Sequence, residues 1–310
     1  MQEEAARQLQ ESANISLALD VRDWATETMA NLANALGATG RFLEAAEVLE
    51  TAIGLLRGPG LQRRRMRLLW VLTHVLDDLN EYARLQETSQ ELAELELATG
   101  NDKGALAAFE RAARASYELK EAHTAAALYQ RCADLEDLDS PGGALRRSRL
   151  LRRAAFALTR QPTTAMTRAQ LPRARDLWQL GADLLDQAWE RPCEEAVQER
   201  ADAYEQLGEI LWSGTELQEA GGHFATAARL YAEVGRSEDQ ARVTAHVARI
   251  HAILIQEDPA THLPLARQGV AQVRALLAHP RWEGNPALED VGKVEQYLDS
   301  LEPAGAGSAG

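Results

Sequence analysis

Apolar residues recur at three- and four-residue spacing through almost the whole chain. They fall in segments of about 15–20 residues, each with one apolar and one polar face, the mark of a helix that buries one side. Short polar breaks separate the segments. They fall at Gly37 to Gly40, Gly58-Pro59-Gly60, Asn80, Gly100-Asn101-Asp102, Leu119 to Glu121, Asp139 to Gly143, Gln161 to Thr164, Arg191-Pro192, Ser213 to Thr215, Gly235 to Ser237, Asp258-Pro259 and His279 to Pro286. Glycine and proline supply most of the stops and starts. The pattern predicts about thirteen helices. No stretch alternates β-branched or aromatic residues with polar ones between turn signals, so no sheet is expected.

A second pattern overlies the first. On alternate helices a small residue is followed four later by a large one and three later by another small one. It appears as Ala45-Leu49-Ala52, Ala125-Tyr129-Cys132, Ala174-Trp178-Gly181 and Ala220-Phe224-Ala227, with weaker copies at Leu85-Ser89-Leu92 and Ala266-Val270-Val273. The three positions share one helix face. Small residues let a neighbouring helix come close and the large one fills the space above. The copies are spaced by about 40 to 49 residues, the sign of a repeat architecture. One further copy, Ala105-Phe109-Ala112, is out of phase and leaves the helix pairing between residues 80 and 137 open.

The segment from Met29 to Pro59 resembles a tetratricopeptide repeat. Met29 stands for the family's tryptophan, Leu32-Ala33 for its leucine-glycine pair and Leu36 for its tyrosine; Gly40, Phe42, Ala45, Leu49, Ala52 and Pro59 follow in order. Tyr204, Leu207, Gly208, Leu211, Leu217, Ala220, Phe224 and Ala227 match more fully. A partial copy has Leu92-Ala93, Gly100, Ala105, Phe109 and Ala112, with Glu96 in the tyrosine position. The resemblance covers roughly residues 22 to 275, with a period longer than the family's ~34 residues. It implies an all-α, right-handed α-solenoid of stacked antiparallel helix pairs. The expected organisation is a capping helix over 1–21, about six pairs over 22–278 as one elongated domain, a second capping helix over 279–301 and a disordered tail over 302–310.

Composition narrows function by exclusion. The 310 residues carry a formal net charge of -14, which argues against nucleic acid as a partner. Aromatics are only 5%, so the core must be built from alanine and leucine. No apolar run approaches the ~20 residues that span a bilayer, and MQEEAARQLQESAN lacks the features of a signal peptide. Cys132 and Cys193 have no metal-ligand spacing and read as reduced thiols. A soluble, cytoplasmic protein is expected. There is no phosphate loop, dinucleotide fingerprint or nucleophile elbow. None of the seven histidines has the spacing of a helical zinc site; His246 and His251 point about 140° apart on a helix. No enzyme activity, cofactor or metal is expected.

The candidate chemistry is that of recognition. Trp70 falls on the polar side of its helix with Arg63, Arg67, His74 and Asp77, an arrangement typical of an interaction hot spot; the alternative is packing under a neighbouring helix. In the family register Arg67, Trp70 and His74 line the concave groove. Asn31 and Asn34 resemble the asparagines with which peptide-binding members hold a backbone. Arg146, Arg149, Arg153 and Arg160 form a stripe on a helix without acidic residues. Arginine forks suit carboxylates and phosphates, so the stripe is either a clamp for an acidic or carboxylate-bearing segment or a set of internal ion pairs. Asp202, Glu205 and Glu209 near Trp212 give an acidic stretch that would orient a ligand. The leading expectation is a scaffold or adaptor that grips a protein or peptide segment. The alternative is a free-standing sensor or regulatory subunit that binds a signal peptide or small ligand and controls a partner.

Overall fold

The computed structural model describes residues 2–56, 58, 60–140, 142–159, 164–188 and 194–301, apart from the side chains of 2, 164–169 and 186–188. Pro59, Arg160, Cys193 and the tail over 302–310 lie outside the described residues. Among these residues there are helices and no strand. The contacts divide the chain into two compact units, Met1–Asp137 and Leu138–Gly310.

The first unit holds α1 (Gln2–Ala18), α2 (Arg22–Ala38), α3 (Phe42–Leu55), α4 (Gln62–Asp78), α5 (Tyr82–Ala98), α6 (Asp102–Glu118) and α7 (Ala122–Leu135). Each packs on its neighbours in sequence, and α5 with α6 is the most extensive pair. Residues 20, 40, 60, 80, 100 and 120 all have positive φ, as Asp20, Gly40, Gly60, Asn80, Gly100 and Lys120. Helix plus connector is therefore a module of constant length. Five of these connectors share one hydrogen-bonding scheme. The N–H of Val21, Arg41, Glu81, Asn101 and Glu121 donates to the carbonyl of Ser16, Leu36, Leu76, Glu96 and Ser116, at 2.9–3.0 Å. This is the six-to-one bond of a left-handed helix stop. The same five residues are the N-caps of the following helices, and their carbonyls accept the first bond of the next helix.

Equal modules explain why the Ala105 copy looks out of phase. With the α5–α6 connector built like the α2–α3 one, α5 and α6 pair as α2 and α3 do. Ala45, Leu49, Ala52, Leu85, Ser89, Leu92, Ala105, Phe109, Ala112, Ala125, Tyr129 and Cys132 are all buried. The copies judged weaker in sequence are packed as fully as the others. Among the described residues there are fourteen α-helices, where about thirteen are expected; the break at Asp20 contains neither glycine nor proline.

The second unit holds α8 (Gly143–Thr159), α9 (Thr164–Ala188), α10 (Glu194–Ser213), α11 (Leu217–Glu233), α12 (Ser237–Leu254), α13 (Pro259–Leu276) and α14 (Pro286–Ser300), with a 3₁₀ turn at Pro280–Trp282. The same stop closes α10 and α11: Glu216 and Arg236 donate to Leu211 and Tyr231, with Thr215 and Gly235 left-handed. α9, at 25 residues, and α10, at 20, exceed the 17 of most helices in the first unit, which lengthens the repeat here. α14 covers both α12 and α13. Three close approaches fix the packing. A Cβ on Gly208 would lie 2.9 Å from the Phe224 ring, one on Gly269 2.8 Å from Ala248, and one on Gly181 3.3 Å from Arg152. Gly208 and Phe224 are the motif's small and large partners, and here they touch.

Overpacking a close contact costs about 1–3 kcal/mol. Gly208→Val is expected to lower stability by about 2 kcal/mol. Gly222→Ala, in the same hairpin but with open space around it, is expected to raise stability by about 0.5–1 kcal/mol through helix propensity. Urea unfolding of both variants checks the pair, and equal effects would contradict the packing.

Candidate functional site

In the first unit, α2, α4 and α6 are linked to one another across the intervening helices. Arg64 on α4 reaches Asp23 on α2 at 2.5 Å. Arg111 on α6 donates to the Thr73 hydroxyl at 2.5 Å and lies 3.2 Å from His74 Nε2, and Arg114 pairs with Asp77. A matching set joins α3 to α5 through Arg84–Glu50 and α5 to α7 through Arg131–Glu94. Partners stand about two modules apart, so the pairs repeat along the stack. Exposed pairs of this kind contribute about 0–1 kcal/mol each; their use is in aligning same-layer helices.

The face so aligned carries most of the residues expected in the first unit. Asn31, Asn34, Arg67, Trp70 and His74 are all exposed on α2 and α4. Trp70 is 55% exposed, which settles its packing: it is not covered by a neighbouring helix. It sits edge-on to His74 with ring centroids 4.4 Å apart. His74 and the Arg111 guanidinium share this spot, and burial together with Arg111 lowers the His74 pKa. Trp24, not among the residues expected from the sequence, is 61% exposed on the same face of α2 as Asn31 and forms a patch with Ile15, Leu19 and Val21. The signal was available, since Trp24 lies outside the stripe formed by Ala25, Met29, Leu32, Ala33 and Leu36.

In the second unit the expected residues separate. Arg149 on α8 bonds Glu195 at 2.7 Å and Glu199 at 2.9 Å, both on α10. Arg152 also pairs with Glu199 and donates to its backbone carbonyl at 3.0 Å. Of the stripe, Arg149 is thus engaged in ion pairs within the chain. Arg146 is exposed and donates to Ser140 at 2.8 Å; Arg153 is exposed.

Glu205 is not a groove residue. It is 3% exposed, pairs with Arg242 and accepts from the Tyr231 hydroxyl at 2.8 Å. The same hydroxyl lies 2.6 Å from Asp202 Oδ1, so its one proton is shared between the two carboxylates. Burial first, then Asp202, pushes the Tyr231 pKa far up. A carboxylate at this depth needs its partners, and α11 and α12 supply them. Glu209 stays exposed. Trp212 is half-buried against Phe224 at 6.0 Å and His246 at 5.5 Å, with the Arg249 guanidinium 5.0 Å from its ring. It belongs to the packing between α10, α11 and α12.

The histidines add a pair that sequence spacing hides. His251 and His262, on α12 and α13, bring their Nδ1 atoms to 3.0 Å. No group of three or more metal-ligating side chains occurs among the described residues, and no helix there is long and apolar enough to cross a membrane.

No family model matches the chain, and no curated protein matches it. Among solved structures it is similar to the apo form of RapI, with 10% identity over 96% of this chain and 86% of that one and a TM-score of 0.52. It also matches a Podosopora anserina putative kinesin light chain with nearly identical TPR-like repeats, at 18% identity over 69% and 95% and a TM-score of 0.45. The TPR2AB domain of yeast Sti1, solved in complex with pHSP90, matches at 15% identity over 88% and 97% with a TM-score of 0.31. At these identities the likeness concerns the fold.

Burial lowers the pKa of His74, His223, His246 and His251 below the ordinary value of 6.5. The unfolded chain therefore binds more protons than the folded one as pH falls through 6.5, and stability is lost in that direction. The thermal midpoint should fall between about pH 7.5 and about pH 5.5, and His246→Phe should flatten the slope. A midpoint that rises on acidification would contradict the assignment. Motif contacts, alternating layers and the RapI match together give the fold: a tetratricopeptide-like α-solenoid with long, degenerate repeats.

Proposed function

We propose that the chain is a protein- or peptide-binding scaffold, and that the α2/α4/α6 face of the first unit is its docking surface. The observation that carries the reading is Trp70: a tryptophan held edge-on by His74, flanked by Arg63 and Arg67, on helices aligned by ion pairs. A rigid aromatic anchor among arginines is the usual make-up of a binding hot spot. Asn31 and Asn34 on the adjoining helix supply amide donors and acceptors for an extended backbone. The exposed Arg63 and Arg67 favour an acidic or carboxylate-bearing segment. RapI shares the fold, which admits such a role and does not by itself assign one. The acidic whole-chain charge favours protein over nucleic acid as the partner. A scaffold role asks for no catalytic residue, cofactor or metal.

The test is capture from cells of the native host, followed by affinity measurement on the segment recovered. Trp70→Ala is expected to weaken binding by about 30-fold, the loss of a hot spot worth about 2 kcal/mol, with helical content unchanged by circular dichroism. Unchanged affinity would remove this face from the account.

A further inference from the structure

Of the twelve large hydrophobic side chains exposed among the described residues, five fall within ten positions at the junction of α1 and α2: Ile15, Leu17, Leu19, Val21 and Trp24. The others are scattered from Leu43 to Leu301, and single exposed apolar residues are ordinary. A cluster is not. Ile15, Leu19, Val21 and Trp24 line a groove of about 380 Å³ with Ser12 and Ser16.

This groove holds both halves of the contact that builds the interior of the protein. Inside, a large side chain seats on a small one, as the Phe224 ring does on Gly208. Here Ser12 and Ser16, one turn apart on α1, leave a low floor, while Trp24 and Leu19 stand exposed beside it. The buried Ser16 hydroxyl already donates to the Ser12 carbonyl at 2.7 Å, so an apolar group laid over it strands no donor there. The rim carries both signs of charge. Arg22 and Asp20 are exposed and 3.0 Å apart, and Asp23 bonds Arg64. In a chain with a net charge of -14, this is a place where one copy can approach another without strong repulsion. An anionic lipid surface would ask for an excess of basic residues instead.

We propose that this patch is the interface of a two-fold dimer, covered by the same patch of a second copy of this chain. In an isologous contact each copy must accept what it offers. A patch with projecting Trp24 and Leu19 beside the low Ser12–Ser16 floor meets that condition, the large side chains of one copy seating on the floor of the other. Ile15, Leu19, Val21 and Trp24 together expose about 500 Å² in each copy, so their pairing covers about 1,000 Å², the lower bound of a specific interface. Association at micromolar concentration fits that area. Trp70, on α4, takes no part, so the dimer stands apart from the docking-face reading.

The test is analytical ultracentrifugation of the full chain over a range of concentrations. The average mass should rise from one chain to two with a Kd of about 10 μM and grow no further. Trp24 emission, isolated as the difference between the native chain and Trp24→Phe, should move to shorter wavelength over the same range. The double variant Ile15→Lys, Leu19→Lys changes exposed positions only. It should weaken association by about 30-fold or more, with helical content unchanged by circular dichroism. Leu43→Lys, 53% exposed outside the patch, and Trp70→Ala should leave association unchanged, so the dimer and the docking face fail or stand separately. A single-chain mass at every concentration would assign the patch to another occupant and overturn the proposal. So would growth beyond two chains, a dimer retained by the folded double variant, or Trp24 emission that ignores concentration.

Discussion

The connectors set the geometry on which the rest depends. At seven of them a residue in the left-handed region stops a helix, and the residue after it both completes the stop and opens the next helix. One peptide unit thereby serves two helix ends, using its N–H backwards and its carbonyl forwards. Helix ends otherwise leave four donors or four acceptors without intrahelical partners. Fusing the caps reduces that cost and leaves the chain almost no freedom in how consecutive helices meet. In the first unit the connectors fall at a constant interval, so side chains two modules apart share a layer and a depth.

Packing and recognition follow from that spacing. The small-large-small positions turn inward, where Gly208 lies against Phe224 and Gly269 against Ala248. The arginines turn outward and reach the next helix of their own layer, as Arg64, Arg84, Arg111 and Arg131 do. What remains exposed between those pairs is the small set of side chains free to meet a partner, with Trp70 the largest of them on α4. The second unit applies the same rules with longer helices. There Arg149 and Arg152 bind α8 to α10.

The fold was legible because its determinants are local. Helical periodicity, the glycines at 40, 60, 100 and 235, and the small-large-small triads can all be read within a few tens of residues. Local signals also set the limits. Asp20, Asn80, Lys120 and Thr215 adopt the left-handed conformation without being glycine, so the break before α2 carries little mark. Trp70 was legible from a helical wheel, because an exposed face needs no knowledge of neighbours. Glu205 was not: its burial depends on Tyr231 and Arg242, which lie 26 and 37 residues away. The arginine stripe was visible, but the pairing of Arg149 with Glu195 and Glu199 across about 50 residues follows only from the stacking of α8 on α10.

The most direct measurement of the central claim is amide hydrogen exchange at the connector residues. Val21, Arg41, Glu81, Asn101, Glu121, Glu216 and Arg236 would count as loop amides by sequence. If each donates the bond that closes the preceding helix, their exchange should be slowed by about 100-fold or more relative to an open chain, which corresponds to about 2.7 kcal/mol of local opening. Exchange at open-chain rates at these seven amides, with the helix interiors still protected, would contradict the account.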